Sequence, residues 1–133
     1  MCSYRAVYPA LVMPSSTEDI DLLAAAKEAT IETRAGDRVY RTVIWVAAEN
    51  ERLYVRSVRG DSGRWYRRAV TDPEVALIVG DTRVAFRAVP ATDDESIRQA
   101  SEGFLRKYPK GKSLDAMVLP EVLHTTLRLE PIS

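Results

Sequence analysis

Leu53-Tyr54-Val55-Arg56-Ser57-Val58-Arg59-Gly60-Asp61-Ser62-Gly63-Arg64-Trp65-Tyr66-Arg67-Arg68-Ala69-Val70 reads as an apolar strand that runs into an arginine-rich turn and then a short helix. Branched and aromatic residues favour the strand over Arg52 to Ser57, and Gly60 and Gly63 interrupt it. Asp61 or Ser62 is placed to cap a helix through Val70, on which Trp65 and Ala69 share one face. Six arginines (Arg52, Arg56, Arg59, Arg64, Arg67 and Arg68) fall in this region, opposed there by Asp61 alone. A phosphate needs several donors converging on one point. This stretch offers the Ser57 and Ser62 hydroxyls, forked guanidiniums and the free N–H groups of a helix start, with glycines that let backbone approach closely. Three or four charge-assisted hydrogen bonds, each contributing about 1.5 to 3 kcal/mol, would dominate the anchoring of a phosphorylated ligand. The opposing reading is a solvated face whose arginines pair with Glu49, Glu51, Asp61 and Asp72, each pair contributing about 0 to 1 kcal/mol.

Toward the N-terminus, the tight turn Glu49-Asn50-Glu51 follows a long β run from Arg38 to Ala48. Within that run Val43-Ile44-Trp45-Val46-Ala47-Ala48 is apolar on both faces, which predicts a central strand buried on two sides. Ala35-Gly36-Asp37 joins it as a hairpin to an alternating strand over Thr30 to Arg34. A helix precedes these, capped near Ser16 and Thr17, with Ile20, Leu23 and Ala24 on one face and a stop near Glu28 to Thr30. Residues 1–13, with Tyr4 and Tyr8, read as an N-terminal arm before a domain over 14–133.

Toward the C-terminus, Thr71-Asp72-Pro73 ends the short helix, and Glu74 to Val79 pairs with Arg83 to Val89 around Gly80-Asp81. Thr92-Asp93-Asp94-Glu95 is a capping sequence, and Ile97, Ala100, Phe104, Leu105 and Tyr108 recur at helical spacing up to Pro109. Lys112 to Leu119 adds a turn or two of helix, and Val122 to Leu129 reads as a last strand that includes His124. Strands joined mainly by tight turns, with helices at the start, middle and end, give an α+β class built on an antiparallel sheet that curls or closes, with peripheral helices.

Composition narrows the chemistry. At 133 residues with 46 % hydrophobic and 29 % charged residues, one folded domain is expected. Basic and acidic residues balance at 19 each, and no recognition motif accompanies the arginine run, which argues against nucleic-acid binding. No apolar run is long enough to cross a membrane and the start lacks the pattern of a signal peptide, so the expected compartment is cytoplasmic. The lone Cys2 excludes an internal disulfide. His124 is the only histidine, no nucleophile-elbow pattern precedes it, and no Cys/His cluster suits zinc, so neither a serine triad nor a metal site is indicated. Asp93-Asp94-Glu95 is explained by helix capping. Gly-x-Gly-x-x-Gly and the Walker loop are absent. Trp45 and Trp65 fall on the apolar sides of their elements and read as core.

Three segments, Arg41-Thr42-Val43-Ile44-Trp45-Val46, Leu53 to Gly60, and Arg64-Trp65-Tyr66-Arg67-Arg68-Ala69, together resemble the flavin-binding split β-barrel superfamily. The likeness continues through Phe104 to Tyr108 and Thr125 to Leu129. Within the superfamily the chain looks most like an uncharacterised bacterial family related to the deazaflavin-dependent nitroreductases and, more distantly, to pyridoxamine phosphate oxidase. The resemblance implies a homodimeric antiparallel split barrel with peripheral helices, holding FMN or a deazaflavin for an oxidoreductase reaction on a small organic substrate. By position, Ser57, Arg59 and Gly60 match the turn that meets the cofactor phosphate. Arg64 and Arg68 match the helix after it, and Arg41, Thr42, Val43 and Ile44 the strand beside the ring. The chain departs from the nitroreductase-like pattern at Asp61, Arg64 and Arg68-Ala69. A non-catalytic module of the same fold, binding another phosphorylated ligand, is the alternative.

Overall fold

The structure, a computed structural model, describes residues 17–132. The expected arm over residues 1–13, with Cys2, Tyr4 and Tyr8, and the cap at Ser16 lie outside the described residues. In chain order the elements are α1 (Thr17–Ala25), β1 (Ala29–Ala35), β2 (Arg38–Ile44), β3 (Ala47–Glu49), β4 (Arg52–Val55), a 3₁₀ turn (Gly60–Ser62) and α2 (Arg64–Thr71). There follow β5 (Glu74–Val79), β6 (Thr82–Pro90), α3 (Asp94–Lys107), α4 (Lys112–Met117), α5 (Pro120–Leu123) and β7 (Leu127–Pro131).

Among the described residues seven strands form one sheet in the order β2-β1-β5-β6-β7-β4-β3, every neighbouring pair antiparallel. Its two edges, β2 and β3, are consecutive in the chain and joined only by Trp45-Val46. A link this short forces the sheet to curl until its edges meet at one end, and the strands diverge from there into a split barrel. The chain is an α+β protein of that architecture.

The link is clamped from outside the sheet. Val46 N–H donates to the Tyr108 hydroxyl at 3.1 Å, Tyr108 donates to the Lys27 carbonyl at 2.7 Å, and Lys107 Nζ donates to the Val46 carbonyl at 2.6 Å. Backbone groups that leave one sheet edge before joining the other thus find partners on the last turn of α3 and just beyond it. Desolvation in this setting lowers the Lys107 ammonium to about 8.

Two apolar clusters fill the two sides. Leu23, Ile31, Leu77, Phe86, Trp65 and Ala69 belong to one, which α1 and α2 close. Ala47, Tyr54, Ala100, Phe104, Tyr108 and Met117 form the other beneath α3 and α4. Gly103 allows α3 to sit directly on β3, because a Cβ there would lie 3.1 Å from that of Ala47 and 3.2 Å from the Ala48 carbonyl oxygen.

Four sequence expectations are corrected. The run from Arg38 to Ala48 is not one central strand: it divides at Trp45-Val46, and β2 is a sheet edge on which Val43 is 60 % exposed. Its apolar residues on both faces reflect service to two sheet edges rather than burial in one strand. The first helix stops at Ala25, because the chain from Ala29 onward is recruited into β1. Asp61 and Ser62 do not cap α2; its N-cap is Gly63, without a side-chain cap. The region from Val122 is not strand at first. Pro120 opens the short α5, and the Thr125 and Thr126 hydroxyls donate back to the Val122 and Leu123 carbonyls, delaying β7 until Leu127. By contrast, Asp93 caps α3 by accepting from the Ser96 N–H at 3.1 Å.

Candidate functional site

The split between the sheet edges opens into a cleft of about 790 Å³. Its walls come from β2 and the Trp45 link, from the chain between β4 and α2, and from the first turns of α2, with Glu28, Ser113 and Met117 completing it. Of the residues singled out from the sequence, Thr42, Val43, Ile44, Ser57, Arg59, Arg64 and Arg68 line this cleft. Two do not. Arg41 pairs with Glu32 at 3.3 Å, and Gly60 lies behind the wall, buried.

The turn from Ser57 to Gly63 is a closed knot. Gly60 takes φ +62°, where glycine carries no Cβ penalty, and its N–H donates to the Ser57 carbonyl at 2.9 Å. The buried Ser57 hydroxyl donates to the Gly60 carbonyl at 2.8 Å, and Ser62 Oγ donates to the Arg59 carbonyl at 2.7 Å. Both hydroxyl protons expected to meet an anion are therefore spent on holding the turn. Gly63 is required by close approach, since a Cβ there would sit 2.1 Å from Ser57 Oγ. The knot delivers Gly63 to the start of α2, where the N–H groups of Arg64, Trp65 and Tyr66 have no acceptor among the described residues.

The arginines divide into two kinds. Arg59 and Arg64 are exposed on the cleft wall and have no carboxylate partner among the described residues. Arg68 lies half-buried, its Nε donating to Thr33 Oγ1 at 2.9 Å and its guanidinium stacked 4.0 Å from the Tyr40 ring centroid. Stacking and one hydrogen bond fix its plane while leaving four N–H groups for a ligand. The alternative pairings fail: Glu49 pairs with Arg106, and Asp61 with His124 at 2.7 Å. Arg56 is the other kind. It is 2 % exposed and donates to Thr126 Oγ1, the Met117 carbonyl and the Ile97 carbonyl at 2.8 to 3.1 Å, neutral acceptors throughout. Desolvation lowers it to about 10, so it stays cationic at neutral pH and puts an uncompensated charge under the cleft floor.

Sequence reasoning did not separate Arg56 from its neighbours and did not find Glu28, Ser113 or Met117. They come from α4 and the α1–β1 connection, brought to the cleft by curling of the sheet. Trp65 is core, as expected, and also touches the cleft. Trp45, half-buried, stacks on Tyr108 and packs against the second apolar cluster, as expected, and it also lines the cleft. His124 is exposed, ends α5 rather than lying in a strand, and is absent from the cleft wall. Among the described residues no cluster of three or more His, Cys, Asp or Glu could hold a metal, and no helix is long and apolar enough to cross a membrane.

Comparison with known proteins agrees with this fold. The family described as "Uncharacterized protein conserved in bacteria (DUF2255)" matches residues 19–129, and the chain belongs to it. No curated protein matches the chain. Among solved structures, a pyridoxamine 5′-phosphate oxidase-like protein from Listeria innocua superposes with TM-score 0.63 at 14 % identity, covering 87 % of this chain and 92 % of its own. The FAD binding protein from Mycobacterium smegmatis gives 0.61 at 16 % identity, with 92 % and 94 % covered. The heme storage protein HutZ from Vibrio cholerae gives 0.65 at 15 %, with 91 % and 92 % covered. At these identities the likeness concerns the fold, a split barrel whose relatives bind small ligands.

Proposed function

We propose that this DUF2255 protein holds a phosphorylated flavin-type cofactor, FMN or a deazaflavin, in the cleft and serves as an oxidoreductase on a small organic substrate. One observation carries the reading: three arginines without carboxylate partners among the described residues and the free first-turn amides of α2 share one cleft wall. The residues present fit the group. The cleft volume of about 790 Å³ is ample for it, and the donors suit a phosphate dianion, with Arg59, Arg64 and Arg68 as clamps and the α2 amides as the cradle. Such a cofactor supplies hydride transfer when bound, so the chain's own residues bind, orient and exclude water and need supply no acid–base pair. Thr42 to Ile44 would flank the ring. The same clamp without redox chemistry would make a phosphorylated-ligand binding module.

Purified protein titrated with FMN and with a deazaflavin should bind one of them in the micromolar range. Arg59→Ala combined with Arg68→Ala should weaken that binding by about 100-fold, since each arginine contributes a charge-assisted contact. If neither cofactor binds the wild-type protein, the oxidoreductase reading fails. A thermal upshift with phosphate but not with flavins would leave the binding module.

A homodimer is part of the same proposal. The edge strand β2 leaves Val39 49 % and Val43 60 % exposed beside the cleft, and a second copy is the natural cover for an apolar sheet edge. Light scattering should report twice 14.9 kDa for the wild type and the monomer mass for Val43→Lys; a wild-type monomer at tens of micromolar would refute it.

A further inference from the structure

The same cleft is also lined by Glu28, Trp45 and Ser113, outside the arginine clamp. Arg68 is fixed by Thr33, which pairs with Tyr40, whereas Glu28 precedes Ala29, which pairs with Ile44. Ala29 and Thr33 are four positions apart, about 13 Å along the β1 backbone. Next to the Ala29–Ile44 pair the chain carries Glu28 and Trp45, both on the cleft wall, and Ser113 of α4 lines the same cleft.

Trp45 is unusually well fixed for a half-buried ring. One face is covered by Tyr108, with centroids 3.9 Å apart and planes within 3°. Tyr108 is itself buried and locked at its hydroxyl by Val46 N–H and the Lys27 carbonyl. The indole therefore meets the cleft as a rigid surface, so stacking on it carries little rotamer cost. Glu28 follows the Lys27 carbonyl that anchors Tyr108, is exposed, and has no hydrogen bond or ion pair among the described residues. Among the described residues it is the one carboxylate on a cleft wall that also carries four arginines.

We infer that Trp45, with Glu28 and Ser113, forms a ring-recognition subsite: an aromatic platform for a planar heteroaromatic ring that presents an N–H edge to the Glu28 carboxylate. This deepens the cofactor-clamp reading and rests on it, because it assigns the part of the ligand beyond the phosphate. A ligand that fits both parts carries an anionic group for the arginines and a flat, hydrogen-donating ring for Trp45 and Glu28. Tyr108 and Lys107 act as positioning residues, through the ring and backbone of the link.

Two probes separate the parts. Riboflavin carries the ring with an N–H edge but no phosphate, and inorganic phosphate carries only the anion. Riboflavin should quench tryptophan emission of the wild-type protein. Its affinity should fall at least tenfold in Trp45→Leu and about fivefold in Glu28→Ala, and stay within about threefold in Trp45→Phe, which keeps a flat ring. Thermal protection by phosphate should be the same in all four proteins. Unchanged riboflavin affinity in both Trp45→Leu and Glu28→Ala overturns the subsite, as does a wild-type protein that binds phosphate but not riboflavin. Loss of phosphate protection in Glu28→Ala also overturns it, since the two parts would then not be separable. Absence of phosphate protection in the wild type instead strikes the arginine clamp. Should Trp45→Leu fail to fold, unchanged riboflavin affinity in the exposed Glu28→Ala overturns the subsite by itself.

Discussion

Arg56 and Arg59 stand three residues apart in one basic run, yet the fold uses them oppositely. Arg56 turns inward to bind two carbonyls and a hydroxyl, tying β4 to α3, α4 and the approach to β7, while Arg59 reaches the open cleft. A run of arginines announces positive charge in sequence but not direction, because direction depends on which carbonyls the helices leave nearby. Glu32 shows the same dependence: an ordinary glutamate of an alternating strand, it is 6 % exposed and held by Arg83 and Arg41. The hydrogen bond from Arg83, outweighing desolvation and aided by Arg41, holds its carboxyl below the usual 4.5. A lowered folded-state pKa means the unfolded chain takes up protons first. The stabilisation is thus fully present above about pH 4.5 and is lost as pH falls through the lower folded value. Glu32→Gln should cost about 1 kcal/mol at pH 7, discounted because both arginines are half exposed, and should flatten the acid limb. Urea unfolding at pH 7 and pH 4 checks this: equal losses at the two values would contradict the assignment.

At the level of elements, turns and helix starts carried most of the readable information. Gly36 and Gly80 have φ of +64° and +59° in the two hairpin turns expected from Gly36-Asp37 and Gly80-Asp81. The Glu49-Asn50-Glu51 turn also forms, but with both Asn50 and Glu51 at positive φ, 55° and 64°. Asparagine tolerates that region; glutamate does so at a cost of about 1 kcal/mol or more. Glu51→Gly, giving the Asn-Gly pair that such turns prefer, should raise the unfolding free energy by about 1 kcal/mol, with the midpoint in urea shifting and the slope constant. A loss of stability would show that the Glu51 side chain does more than close the turn. The elements misread from sequence have different causes. Val122 to Thr126 alternates like a strand, but Pro120 and the threonine hydroxyls satisfy its backbone locally before any neighbouring strand can. The α2 start was correctly located and wrongly capped, since Asp61 is drawn away by His124 across the fold.

For the whole molecule, the decisive fact is that strands sharing a two-residue link are the opposite edges of the sheet. That closure brings Glu28, Trp45, Met117 and the arginine turn, spread over most of the chain, around one cleft, and the Tyr108 and Lys107 clamp holds it at Val46. The sequence by itself determined the α+β class, most element positions, the hairpin partners, the strand–turn–helix segment and its surplus of positive charge. These depend on local periodicity, turn chemistry and composition, which a chain carries without its neighbours. Only the tertiary structure decided that β2 is an edge, that Arg56 is buried while Arg59 and Arg64 face the cleft, that the Ser57 and Ser62 hydroxyls bind their own turn, and that Trp45 meets the cleft. Each of those depends on which distant groups compete for a given donor or face, and that competition is settled by sheet closure rather than by any window of sequence.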